Sequence, residues 1–223
     1  MAEPLVAGRA LDKAYVRGAE VVHALRGVSV ALYPGELVAL VGPSGSGKSS
    51  LLGVLAGWER PDAGELTWAA GLAGPDGVPA WSALATVPQA LGLLEDLTVR
   101  ENVALPVRLQ LGPPRAGEGR TEELLGLLGL AELAHRPPSE TSLGQQQRAA
   151  VARALVLGPQ VVLADEPSAH QDAAWVHDVF TALRQVVGER QAACLVATHD
   201  PEALRYADRV LSLVDGELTE VTG

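Results

Sequence analysis

The chain has 223 residues, 48% hydrophobic and 20% charged, with 27 acidic against 17 basic side chains and a formal net charge of −10. That is the size of one domain, or one domain with an insertion, and the composition excludes disorder and collagen-like repeats. The acidic balance argues against wrapping nucleic acid, and the apolar runs are far shorter than the roughly 20 residues a bilayer-spanning helix needs.

The opening Met-Ala-Glu-Pro-Leu has neither a basic start nor a long apolar run, so no secretory leader is expected. The single cysteine, Cys194, cannot form an internal disulfide, which fits a reducing cytoplasm. Only two of the basic residues are lysines, Lys13 and Lys48, which makes the position of each informative.

Residues 15–16 and 21–32 read as strands of a small antiparallel sheet leading into the core. Short apolar runs bounded by turn residues, Leu37–Val41, 85–87, 161–164 and 194–197, predict buried strands. Helix-like stretches separate them, as in α/β units around a parallel sheet. The first run enters Gly42, and a helix is predicted from Ser49 to Leu55. Thr98 and Glu101 form a capping-box pattern, Leu124, Leu125, Leu127 and Leu128 an apolar helix ending near Gly129, and 149–157 another helix. Residues of about 89–159 therefore read as an inserted helical subdomain, with 1–88 and 160–223 as the core. Asp172 can cap a helix whose Val176, Phe180, Leu183 and Val187 share one face, and Asp200-Pro201 opens another. The Pro/Gly-rich segments 69–79 and 112–119 are predicted surface loops.

Gly42-Pro43-Ser44-Gly45-Ser46-Gly47-Lys48-Ser49 matches the phosphate-binding P-loop and lies between a predicted strand and helix. Glycines let successive N–H groups face an anion, and the helix N terminus adds its positive end. Lys48 supplies a point charge for β- and γ-phosphates, and the Ser49 hydroxyl is placed for Mg²⁺. Such a site also needs a carboxylate on a neighbouring strand. Val161-Val162-Leu163-Ala164-Asp165-Glu166 provides it: Asp165 can reach the metal through water, and Glu166 can polarise an attacking water. His199 follows the run 194–197 in the same way and would face the crevice at the strands' carboxyl ends. His23, His135, His170 and His177 have no metal-cluster spacing.

Upstream of Asp165 stands Ser142-Leu143-Gly144-Gln145-Gln146-Gln147-Arg148, followed by an Ala/Arg-rich run. This resembles the signature segment of ATP-binding cassette (ABC) transporter ATPases, and the likeness covers nearly the whole chain in the family's order. The resemblance implies a P-loop NTPase fold with a RecA-like parallel core, an antiparallel β-subdomain and a helical subdomain. It assigns Tyr15 to adenine stacking and Ser50 to the nucleotide site. It makes Gln89 the Q-loop residue that senses Mg²⁺, Asp172 the D-loop aspartate and His199 the switch histidine. Glu101-Asn102-Val103-Ala104-Leu105-Pro106, Gln145-Gln146-Gln147-Arg148 and Ala207-Asp208-Arg209-Val210 are most similar to the lipoprotein-releasing and macrolide-exporting group, and the short C-terminal end leaves no room for a regulatory domain.

What the resemblance implies is a dimer, expected to be of identical chains, that binds two ATP molecules with Mg²⁺. Ser142, Leu143, Gly144 and Gln145 of one copy would reach the γ-phosphate held by the other, with Glu166, His199 and Gln89 serving hydrolysis. Residues near 90–110 would hold a separate membrane permease, placing the chain on the inner face of the cell membrane. The signature departs from the family in Leu143 where glycine is usual, Ser50 replaces a common threonine, and Gln171 replaces a common leucine. Leu143 suggests a reduced ATPase if the position needs glycine-like angles. Three functions follow: a transporter-coupled ATPase, an ATP-gated regulatory module with weak turnover, or a nucleic-acid-associated ABC ATPase. The last usually needs long insertions or two cassettes, which 223 residues do not hold.

Overall fold

The computed structural model describes residues 2–18, 20–74, 77–110, 118–169 and 172–221. In chain order the elements are β1 (Val6–Arg17), β2 (Glu20–Leu32), β3 (Leu37–Val41), α1 (Lys48–Leu55), β4 (Ala63–Trp68) and β5 (Leu84–Val87). The helices α2 (Val99–Leu109), α3 (Glu118–Leu127) and α4 (Leu143–Leu155) follow. The chain returns to the sheet with β6 (Val161–Asp165), α5 (Ala173–Arg190), β7 (Ala193–Ala197), α6 (Pro201–Leu204), β8 (Arg209–Val214) and β9 (Glu217–Val221).

The central sheet has the order β5-β6-β7-β3-β8-β9, parallel except for the antiparallel β9, while β2-β1-β4 form a separate antiparallel sheet. β3 and β7, at the centre, are apolar throughout because both faces are covered, and the side chains of the central strands alternate between two cores. Val162, Ala164, Cys194 and Val196 pack with α2–α5 on one face. Val161, Leu163, Leu195 and Ala197 pack with α1 and the antiparallel sheet on the other. Val176, Phe180, Leu183 and Val187 are all buried, as their helical spacing predicts.

Asp208 stitches this arrangement together. It accepts from Arg184 at 2.7 and 2.8 Å and from the Leu37 amide at 2.8 Å, joining α5 to the start of β3. The Arg184 guanidinium holds the Asp208 carboxyl below its ordinary range.

Several elements differ from the sequence expectation. The first antiparallel strand begins at Val6, and β4, β8 and β9 were not foreseen. β4 and β9 are largely exposed, so neither carries a strong apolar signal. α4 starts six residues before the expected position 149, because Ser142 and Gln145 form a reciprocal capping box. Glu118 and Gly119 open α3 rather than closing a loop, while the predicted loop residues 75–76 and 112–117 lie outside the described residues.

Cys194 is fully buried, and burial pushes its thiol up to about 12. The folded protein should therefore resist a thiol-specific disulfide reagent at pH 8 and release one equivalent of thiol only in denaturant. Rapid native-state modification would contradict this packing.

Candidate functional site

The P-loop leaves the carboxyl end of β3 and feeds α1. Gly42, Gly45 and Gly47 have φ of 152°, 80° and 105°. At two of them glycine is demanded by close approach. A Cβ on Gly42 would stand 2.1 Å from the Leu213 carbonyl oxygen, and one on Gly47 2.1 Å from that of Ala24. The loop is therefore pressed between β2 and β8. Lys48 Nζ donates to the carbonyls of Gly42 at 2.8 Å and Pro43 at 3.0 Å, holding its charge against the loop. Pro43, Ser44, Ser49 and Ser50 complete the wall of a cleft of about 600 Å³, while the Ser46 hydroxyl is buried behind it without a hydrogen-bond partner.

Parallel strands end on one edge of the sheet, so residues distant in sequence meet there. From β6, Asp165 Oδ2 accepts from Ser49 Oγ at 2.6 Å. Glu166, the next residue, has φ of 52°, a left-handed conformation unusual for a side chain of this size. Its amide donates to Ala197 O at 2.9 Å, which holds the backbone in that geometry. The turned backbone brings the carboxylate to His199 Nδ1 at 2.9 Å. A carboxylate partner makes Nδ1 the donor and leaves Nε2 at the far edge of a largely exposed ring. Thr198 anchors this segment: its amide donates to Leu40 O at 3.1 Å and its hydroxyl accepts from the Asp200 amide at 3.1 Å. Gln89 lines the same cleft from the loop after β5.

Ser49, Asp165 and Gln89 offer a hydroxyl, a carboxylate and an amide oxygen, hard donors that suit a Mg²⁺ shared with phosphate oxygens. No group of three or more His, Cys, Asp or Glu able to hold a metal occurs among the described residues.

Tyr15 stands at the other end of the cleft beside Val22 and Ala24. Its hydroxyl donates to Glu59, and Lys13 Nζ lies 5.5 Å from the ring centroid. Burial and the Glu59 carboxylate raise the phenol above its ordinary pKa. Glu59 belongs to no sequence motif and meets Tyr15 only through the fold.

Of the signature residues, Leu143 lines this same intramolecular cleft, whereas Ser142, Gly144 and Gln145 do not. Ser142 Oγ accepts from the Gln145 amide at 3.3 Å, and Gln145 Oε1 from the Ser142 amide at 2.8 Å. Leu143 is the first helical residue and does not have a positive φ. The backbone ground for a weakened signature therefore falls away. Its side chain is 53% exposed and meets solvent rather than a strained turn. Asp172 caps α5 by accepting from the Trp175 amide at 3.2 Å and does not line the cleft. Gln171 and His170 lie outside the described residues. Gln147 and Ala169 do line the cleft, although the sequence reading gave them no site role.

A glycine cradle, a strand-end carboxylate pair and a switch-like histidine around one cleft define a P-loop ATPase of the cassette type. The sequence pattern of the ABC transporter family matches residues 25–169. The chain is 42% identical over 228 aligned residues to the lipoprotein-releasing system ATP-binding protein LolD 2 of Caulobacter vibrioides, covering 98% of each chain. It is 36% identical to the macrolide export ATP-binding/permease protein MacB of Wolinella succinogenes, covering 98% of this chain and 35% of that one. Among solved structures it resembles the ATP-binding cassette MJ0796 in a dimeric post-hydrolysis state bound to ADP and Pi, with TM-score 0.85, 30% identity and coverage of 98% and 99%. The chain belongs to the ABC transporter family and is the ATP-binding, ATP-hydrolysing subunit of such a transporter.

Because Leu143 already has ordinary helical geometry, Leu143→Gly should change ATP turnover by no more than about threefold, that is by less than 1 kcal/mol in barrier. A tenfold gain in a steady-state phosphate-release assay would restore the weak-ATPase alternative.

Proposed function

We propose that two copies of this chain close around two ATP molecules and drive a separate membrane permease. The observation that carries this reading is the paired contact in one cleft, Ser49 with Asp165 at 2.6 Å and Glu166 with His199 at 2.9 Å. The first pair is suited to a phosphate-bound metal and the second to a positioned water. Gly42 to Ser50 would cradle the phosphates and Tyr15 would stack on adenine. Mg²⁺, when bound through Ser49, Asp165 and Gln89, neutralises charge on the phosphate oxygens. Glu166 takes the proton of the attacking water while His199 keeps the carboxylate aimed and presents its other ring edge to the γ-phosphate.

In the dimer, Ser142 to Gln145 of one copy would meet the γ-phosphate held by the other, with the N terminus of α4 adding its positive end. Asp172 would lie along the same interface. Losing the γ-phosphate then removes the attraction and the pair opens. The cassette MJ0796 was solved as a dimer in a post-hydrolysis state, bound to ADP and Pi, which supports a two-copy assembly.

For the membrane partner, the supporting feature is a second cleft, of about 420 Å³, between the core and the helical segment. Trp58 and Trp81, 64% and 54% exposed, and Pro106 of α2 line it. Exposed tryptophans clustered in a groove are the usual anchor for a docking helix. Residues 89–159 would then be the subdomain that carries the permease, holding the chain on the inner face of the cell membrane. No helix among the described residues is long and apolar enough to cross a membrane. The names of its relatives support export or extraction of a lipoprotein, peptide or drug-like substrate. The net charge of −10 argues against a role with nucleic acid.

Glu166→Gln should cut ATP turnover by about 10²- to 10⁴-fold, the range for losing a general base, while ATP-dependent dimers persist in size-exclusion chromatography. Hydrolysis at the wild-type rate would remove Glu166 from the mechanism. Replacing Trp58 and Trp81 together by serine should abolish copurification with the membrane fraction while leaving basal turnover within about twofold, since neither lines the nucleotide cleft.

A further inference from the structure

α4 touches the active machinery at three levels along its length. It begins at Ser142, the residue proposed above to meet a phosphate held by a second copy. Gln147, more than one turn on, donates from Nε2 to the backbone carbonyl of Glu166 at 3.4 Å. Arg153, about 9 Å further along the axis at 1.5 Å per residue, donates to two consecutive carbonyls of the loop that follows Gln89. Its guanidinium reaches Gly92 O at 2.6 Å and Leu91 O at 2.5 Å.

Neither residue is explained by packing alone. Gln147 is only 7% exposed, yet its Oε1 is buried with no hydrogen-bond partner. An apolar side chain would fill that space without an orphaned acceptor. Arg153 is half-buried, burial pushes its pKa down, and it forms no ion pair among the described residues. Its two bonds use the fixed fork of a guanidinium on neighbouring peptide units, which a single ammonium cannot reproduce. The targets also matter. One is the carbonyl of the residue held in left-handed geometry, and the other is a turn in which Gly92 has φ of 57°. One carbonyl belongs to Glu166 itself, and the other two lie two and three positions after Gln89.

We propose that Gln147 and Arg153 are positioning residues that make α4 a strut, carrying any displacement of its N terminus to Glu166 and to the Gln89 loop together. A hydrogen-bonded helix moves as a body, so contact at Ser142 is felt at both lower attachments. This rests on the two-copy reading above. Its consequence is that ATP held by one copy sets the hydrolytic geometry in the other. Arg153 also lines the tryptophan groove, so the same strut reports on what docks there.

The test uses the full chain, its Arg153→Lys variant and its Gln147→Met variant. ATP turnover is measured against ATP concentration, hydrogen exchange of residues 89–97 with and without ATP, and melting temperature for each. Wild type should show a Hill coefficient between 1 and about 2, the number of sites, and ATP-dependent protection of 89–97. Arg153→Lys should lower kcat about tenfold with KM within about twofold, bring the Hill coefficient to about 1 and abolish that protection. Gln147→Met should lower kcat and cooperativity but keep the protection, because Arg153 still grips the loop. Cooperative turnover preserved in both variants overturns the strut, as does a wild-type Hill coefficient of 1. A loss of kcat that tracks melting temperature alone overturns it too. A wild-type chain that forms no ATP-dependent dimer overturns the two-copy reading instead.

Discussion

The close passage of the Gly42–Gly47 loop between two neighbouring backbones is the constraint on which the site depends. With Leu213 O and Ala24 O each only 2.1 Å from where a side-chain carbon would stand, the loop has no alternative to glycine there. That contact seats the loop on β2 and β8, just before α1 starts at Lys48. The glycine loop and the N terminus of α1 then border one cleft, the arrangement that suits a polyphosphate. Everything else in the cleft is arranged around that anchored loop.

The second organising feature is a cost accepted at Glu166. A glutamate in the left-handed region loses about 1–2 kcal/mol relative to an ordinary conformation. The hydrogen bond to Ala197 O and the deep burial of β6 and β7 hold it there. The turned backbone carries the carboxylate to His199 instead of along the strand. Strain of this kind, braced by a rigid parallel sheet, keeps the Glu166 carboxylate beside His199 without the motion of a flexible loop. The braces come from separate parts of the chain: β7 supplies the amide's acceptor, and α4 reaches the carbonyl through Gln147.

The family pattern and the geometry agree most closely where a motif is contiguous. Leu143 illustrates how far a departure from the pattern can be judged without coordinates. Read as a list of residues, a leucine in place of glycine suggests a damaged phosphate contact. Placed in the fold, it is the first residue of a helix already capped by Ser142 and Gln145, where leucine is conformationally ordinary. The family assignment then favours the transporter-coupled ATPase over a gate with weak turnover.

The amino-acid sequence by itself determined the phosphate loop, the strand ending in Asp165 and Glu166, and the four apolar runs of the parallel core. It also determined the capping of the helices at Thr98, Asp172 and Asp200. These are legible because each is a local pattern: a glycine spacing, an apolar run or a cap is set by neighbouring residues alone. Exposed strands such as β4 and β9 were not legible, since their pairing comes from partners elsewhere and their apolar signal is weak. Only the tertiary structure decided that Glu59 holds Tyr15, that Gln147 reaches Glu166 and that Arg153 grips the loop after Gln89. Those contacts join residues 19 to 62 positions apart. Nothing in the local chain encodes such meetings; the order and direction of the parallel strands bring their ends to one edge.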